Sequence, residues 1–213
     1  MIRCLTRWSI AGKGGEHMSR KYFSEPQLML LDTVKILGCL RLRQAYALMK
    51  RNYGLSDSAT KTAMRQLISS GECILNKNAN CILSSSDDFC EPILYAVDLA
   101  LAIAETKSRI QFIPPHSPYL LNAYYDRQNV QLGVIYVPSG TEKQKCDDLE
   151  SIHQDVMIPP IFVLLLENSS QISLIHSSCA CLLAWENEAG QLVIQKNRTW
   201  KENDLNAGQK TNG

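Results

Sequence analysis

No stretch of this 213-residue chain is apolar for the roughly 20 residues that a membrane span needs. The longest candidate, Pro92 to Ala104, is too short and carries Asp98. Also missing are a signal-peptide h-region with its cleavage pattern, a Cys-x-x-Cys pair and any large excess of one charge. Eight cysteines could build a disulfide framework in a small secreted chain, but their closest spacing is Cys179-x-Cys181, which suits neither that framework nor zinc. Cys39, Cys73, Cys81, Cys179 and Cys181 lie inside apolar runs, where a thiol behaves as a small buried hydrophobe. Such cysteines are consistent with a reducing cytosol, so a soluble, cytoplasmic protein is expected. The chain also lacks a Gly-x-Ser-x-Gly elbow, a dinucleotide fingerprint and a zinc protease motif. Gly12-Lys13 is no phosphate loop, because the upstream Gly and the following Ser or Thr are absent. No cofactor is expected.

What is present is a normal globular composition, 45% hydrophobic and 20% charged, enough for one large domain or two small ones. The total charge of +1 conceals an uneven distribution. Residues 1–17 carry +2, residues 18–86 carry +6 and residues 87–213 carry −7. A basic half followed by an acidic half points to a polyanion partner for the first half alone.

The first residues have no apolar periodicity. Lys13-Gly14-Gly15-Glu16-His17-Met18 is what a ribosome-binding site, AAGGAGGTGA, a short spacer and ATG spell when translated in frame, which would make Met18 the start. A cloning scar and a flexible arm fit the same residues. On each of these alternatives residues 1–21 stand outside the expected fold, as disordered or mis-annotated leader.

Ser24-Glu25-Pro26-Gln27 carries a helix start, with Ser24 as N-cap and Pro26 in the first turn. The following helix is expected to bury Leu28, Leu31, Val34 and Leu37 and to stop at Gly38. A second runs from Leu42 to Tyr53 with Ala45, Leu48 and Met49 inside and Arg43, Lys50 and Arg51 outside. After a turn at Gly54-Leu55-Ser56, Asp57 or Ser58 caps a third helix that continues to Ser70. Two short apolar runs, Glu72 to Leu75 and Cys81 to Leu83, flank an Asn-rich hairpin loop.

In the third helix Ala59, Ala63 and Leu67 form the expected packing face, and Lys61, Thr62 and Arg65 project from the other. Leu55-Ser56-Asp57-Ser58-Ala59-Thr60 through Leu67 to Gly71-Glu72-Cys73 resembles the turn, recognition helix and wing of the winged helix-turn-helix family, across residues 22–86. The resemblance implies binding of double-stranded DNA. Lys61 and Arg65 are then candidates for base edges or phosphates, Ser58 and Thr62 for phosphate oxygens, and Lys77 at the hairpin tip and Arg43 on the second helix for flanking phosphates.

Residues 90–196 predict a small α/β layer domain with a mixed sheet. The expected elements are an apolar helix from Pro92 to Glu105, a hairpin of Tyr119–Tyr125 and Val130–Val137, and a charged helix from Thr141 to His153. A buried strand at Ile161–Leu166, a helical turn at Gln171–Ile175 and a hairpin of Cys179–Trp185 with Gln191–Ile194 follow. The tail, 197–213, reads as flexible. The whole is an α+β protein. Its layout is similar to replication-relaxation and related proteins of Gram-positive mobile elements, which implies regulatory or accessory work on such an element and a second domain like a restriction-endonuclease core.

A nuclease needs clustered carboxylates for a metal ion, with a lysine nearby. Asp126 and Glu167 are the candidates, but Val130–Val137 holds no acid and Glu167-Asn168-Ser169 lacks the Glu-x-Lys pattern, so a non-catalytic domain for dimerisation or partner docking is expected. His116, His153 and His176 have no ligand partner at metal spacing on their own elements, and Asp147, Asp148 and Glu150 read as a solvated helix face. No metal is expected. A homodimer is, because paired half-sites compensate for weak binding by a single winged helix. A diverged metal-dependent nuclease and a protein–protein adaptor that touches no DNA remain the alternatives.

Overall fold

The computed structural model describes residues 22–85, 88–105, 107–155 and 160–198. The expectations for the leader, residues 1–21, and for the tail from residue 199 lie outside the described residues. The protein is α+β and divides into two compact units, Met1–Leu94 and Tyr95–Gly213.

The first unit follows the order α1 (Glu25–Leu37), β1 (Cys39–Arg41), α2 (Leu42–Tyr53), α3 (Asp57–Ser69), β2 (Ile74–Asn76) and β3 (Cys81–Leu83), then the opening of α4 (Glu91–Ile103). At the start of α1, the Gln27 side-chain oxygen accepts from the Ser24 N–H at 2.8 Å and from the Ser24 hydroxyl at 2.9 Å. Pro26 costs nothing there, since a first-turn N–H has no helical acceptor. The three helices share a core of Leu30, Leu31, Val34, Leu37, Ala45, Leu48, Met49, Ala63, Met64 and Leu67. Leu28, expected inside, is half-buried; the buried stripe of α1 begins at Gln27 and passes through Leu30 and Leu31.

Strands β1 and β2 both pair antiparallel with β3, giving the sheet order β1-β3-β2. Strand β1 was not anticipated, because three residues are too few to display a period of two. One side of this sheet closes over Cys39, Cys81, Leu83 and Leu94, with Cys90 and Ile93 packed against them. Gln44, fully buried on α2, satisfies its amide by accepting from Arg41 N and donating to Leu94 O at 2.6 Å.

The second unit contains the remainder of α4, β4 (Ile110–Ile113), β5 (Leu121–Tyr125), β6 (Val130–Val137), α5 (Glu142–Asp155), β7 (Ile161–Leu166), a 3-10 turn at Ser169–Leu174, β8 (Leu182–Glu186) and β9 (Leu192–Lys196). Its six strands lie in sequence order, β4-β5-β6-β7-β8-β9. The β6-β7 and β7-β8 pairs are parallel and the other three antiparallel. Strand β7 has a parallel neighbour on each side and is buried on both faces, which accounts for its unbroken run Phe162 to Leu166.

Ile135, Val137, Phe162, Leu164, Leu166, Leu183 and Trp185 form one face of the sheet and pack with Cys146 and Leu149 of α5. On the opposite face the buried Tyr125 hydroxyl donates to Ala100 O of α4 at 3.0 Å. The expected hairpin about residues 126–129 is present, its strand β5 starting at Leu121, while β4 stands ahead of it unanticipated and ends at Ile113, where Pro114-Pro115 stops it. Strand β8 begins at Leu182, later than expected.

Candidate nucleic-acid interface

The turn between α2 and α3 is made by Gly54, whose φ of 67° lies in the left-handed region that a side chain disfavours. Its N–H donates to Lys50 O at 2.9 Å, closing α2. Helix α3 then starts one residue earlier than expected. Its N-cap is Ser56, not Asp57 or Ser58, and the Ser56 hydroxyl accepts from Ala59 N at 3.3 Å.

The buried stripe of α3 is Thr60, Ala63, Met64 and Leu67. Ala59, assigned by sequence to the packing face, is exposed. An apolar count passed over Thr60 because it carries a hydroxyl, yet that hydroxyl donates to Ser56 O at 3.0 Å and is thereby fit for burial. With 100° between residues, the side of α3 directly opposite this stripe carries Ser58, Thr62, Arg65 and Ser69, all exposed, with Lys61 on one flank. Two contacts fix the other side to its surroundings. Gln27 of α1 donates through its amide to the Gln66 side-chain oxygen, and Lys35 pairs with Glu72, just beyond α3, at 3.1 Å. Lys61 and Arg65 have no ion-pair partner among the described residues.

Four of the six sequence-derived candidates, Ser58, Lys61, Thr62 and Arg65, therefore share one helix side. The other two stand on different elements. Lys77 is exposed in the turn between β2 and β3, where Asn80 takes a positive φ of 53° and Ala79 N donates to the Asn76 side chain. Arg43 is exposed on α2, and the preceding Leu42 donates its N–H to Asn80 O at 3.0 Å, which brings the start of α2 to the far end of the Lys77 loop.

The carboxylates considered for a metal site do not meet. Asp126 follows Tyr125, which pairs with Val130 at the start of β6, and Glu167 follows Leu166, which pairs with Val137 at its end. Seven steps along the strand separate them by about 23 Å. Both are engaged in the fold. Asp126 accepts from Arg109 N and Arg127 N, each at 2.7 Å. Glu167 accepts from the Tyr136 hydroxyl at 2.6 Å and from the Ser139 N–H and hydroxyl, and these donors hold its carboxyl below the ordinary range.

The histidines are dispersed. His116 lies edge-on to Tyr119, His153 edge-on to Phe162, and His176 lines a shallow depression with Glu150, Ser177, Ser178, Asn197 and Arg198. Among the described residues no group of three or more His, Cys, Asp or Glu is placed to hold a metal ion. Burial pushes the thiols of Cys39 and Cys73 up to about 11 and that of Cys181 to about 12, far from the thiolate a nucleophile needs. Among the described residues no helix is long and apolar enough to cross a membrane. Comparison with protein-family models, with curated proteins and with solved structures finds no match.

Proposed function

We propose that this is a DNA-binding regulatory or accessory protein whose first unit is a winged helix that docks α3 in the major groove of a duplex. The observation that carries this reading is the clustering of Ser58, Lys61, Thr62 and Arg65 on the side of α3 opposite its buried stripe. A helix that enters a groove must be anchored by one stripe and offer short polar and basic groups with the other. The order of elements, with β1 paired beside a β2-β3 hairpin, agrees with a winged helix, and the +6 charge of residues 18–86 supplies attraction to phosphate. Lys77 and Arg43 would meet phosphates flanking the groove.

The second unit then serves dimerisation or partner docking. The separation of Asp126 from Glu167 supports a non-catalytic role for it, and by resemblance the protein would act in regulation, replication or transfer on a bacterial mobile element. A homodimer would place two α3 helices on paired half-sites.

A gel shift on bulk duplex DNA across a salt series tests the reading. Affinity is expected to fall steeply and linearly on a log–log scale as salt rises. Lys61→Ala with Arg65→Ala should weaken binding at low salt and reduce the slope by about 2. A double variant that binds as the parent does, or binding that salt leaves unchanged, overturns it.

A further inference from the structure

The outward side of α3 is chemically sparse, and its sparseness limits which bases it could read. Adenine is read in a major groove by the paired donor and acceptor of Asn or Gln, and cytosine by a carboxylate. Neither type stands among Ser58, Thr62, Arg65 and Ser69. The nearest amide, Gln66, has its oxygen engaged by the amide of Gln27. What remains is the five-donor fork of Arg65, matched to the O6 and N7 acceptors of guanine.

Thr62 adds a second element. Its hydroxyl donates to Ser58 O at 3.1 Å, so its only proton is committed to the backbone and the side chain presents its methyl group as its distinctive surface. In the major groove the apolar landmark is the C5 methyl of thymine. Thr62 and Arg65 are three residues apart, about 4.5 Å along the axis, close to the rise of about 3.4 Å per base step.

On the premise that α3 is the reading helix, we propose that the protein selects duplexes in which a guanine, bound by Arg65, lies one base step from a thymine whose methyl packs on the methyl of Thr62. Ser58, at the start of the helix, and Lys61, on its flank, contact phosphate and contribute affinity without sequence preference.

The test is selection of duplexes from a randomised pool by the full-length protein, followed by affinity measurements on the selected site. The expected site contains a guanine next to a thymine. Replacing that guanine should weaken binding about tenfold or more, and Arg65→Ala should erase the difference. Replacing the thymine by deoxyuridine, which removes the methyl and nothing else, should cost about fourfold. Thr62→Val keeps the methyl and should retain that discrimination; Thr62→Ser keeps the hydroxyl and should lose it.

Selected sites without the guanine–thymine step, indifference to deoxyuridine, or discrimination that follows the hydroxyl in the Thr62 pair each overturn the inference while leaving DNA binding intact. Failure to retain any duplex at low salt overturns the DNA-binding reading and this inference with it.

Discussion

A β-carbon added at Gly133, in the middle of β6, would stand 2.5 Å from Cε1 of Tyr119. The ring cannot easily retreat, because it is stacked on Phe162 at a centroid distance of 6.5 Å and met edge-on by His116. Gly133→Ala is therefore expected to destabilise the second unit by about 1–3 kcal/mol through overpacking, read as a lower urea midpoint at unchanged slope. A glycine inside a strand pattern signals a close approach without naming what approaches, so this contact could not be read from the chain. The interface residues were more legible. Lys61, Thr62 and Arg65 follow from helical spacing alone, whereas Ala59 was misplaced because an alanine fits either side of a helix and only packing decides.

At the scale of elements, legibility followed length and periodicity. Helix α2 occupies the residues expected of it, Leu42–Tyr53, since Ala45, Leu48 and Met49 define one stripe and Gly54 ends it. The three- and four-residue strands β1 and β4 escaped because their alternation is too brief to register, and β4 also abuts a proline pair that dominates the local signal. The start of α3 was ambiguous for another reason: Ser56, Asp57 and Ser58 are three good N-caps in a row. Packing resolves it, since a helix capped at Ser56 accommodates the Thr60 hydroxyl against Ser56 O while Ala63, Met64 and Leu67 face the core. The two serines should therefore respond differently. Ser56→Ala is expected to cost about 1 kcal/mol, within the usual range for a lost N-cap. Ser58→Ala should be nearly silent in denaturant unfolding and instead lower affinity for duplex DNA. Equal stability losses in both variants would mean that the cap has been misassigned.

At the scale of the whole molecule, the charge asymmetry foretold two modules, and the compact units divide between Leu94 and Tyr95, within α4, a little beyond the boundary near residues 86–90 that composition suggested. Composition could not place the division more finely because the apolar run of α4 continues across it. Nor could it reveal how the acidic residues of the second unit are used. Glu142 is held below the ordinary carboxylate range first by Gln171 and then by backbone donors including Gly140, Glu150 by Ser178, and Glu167 by Tyr136 and Ser139. All three lie in the second unit, and their donors come from the ends of β6 and the segments leading to α5 and β8. A carboxyl whose folded pKa is depressed stabilises the fold above its unfolded pKa and loses that contribution as pH falls through the folded value. The second unit is therefore expected to hold its stability near neutrality and to weaken progressively as pH drops below about 4.5, the ordinary value for these groups. Thermal unfolding followed from pH 7 to pH 3 checks this. Glu167→Gln, which keeps the shape but cannot ionise, should lower the melting temperature at pH 7 and flatten its acid decline. A variant that loses stability in parallel with the parent at every pH would show that the charge of Glu167 has no part in the acid response.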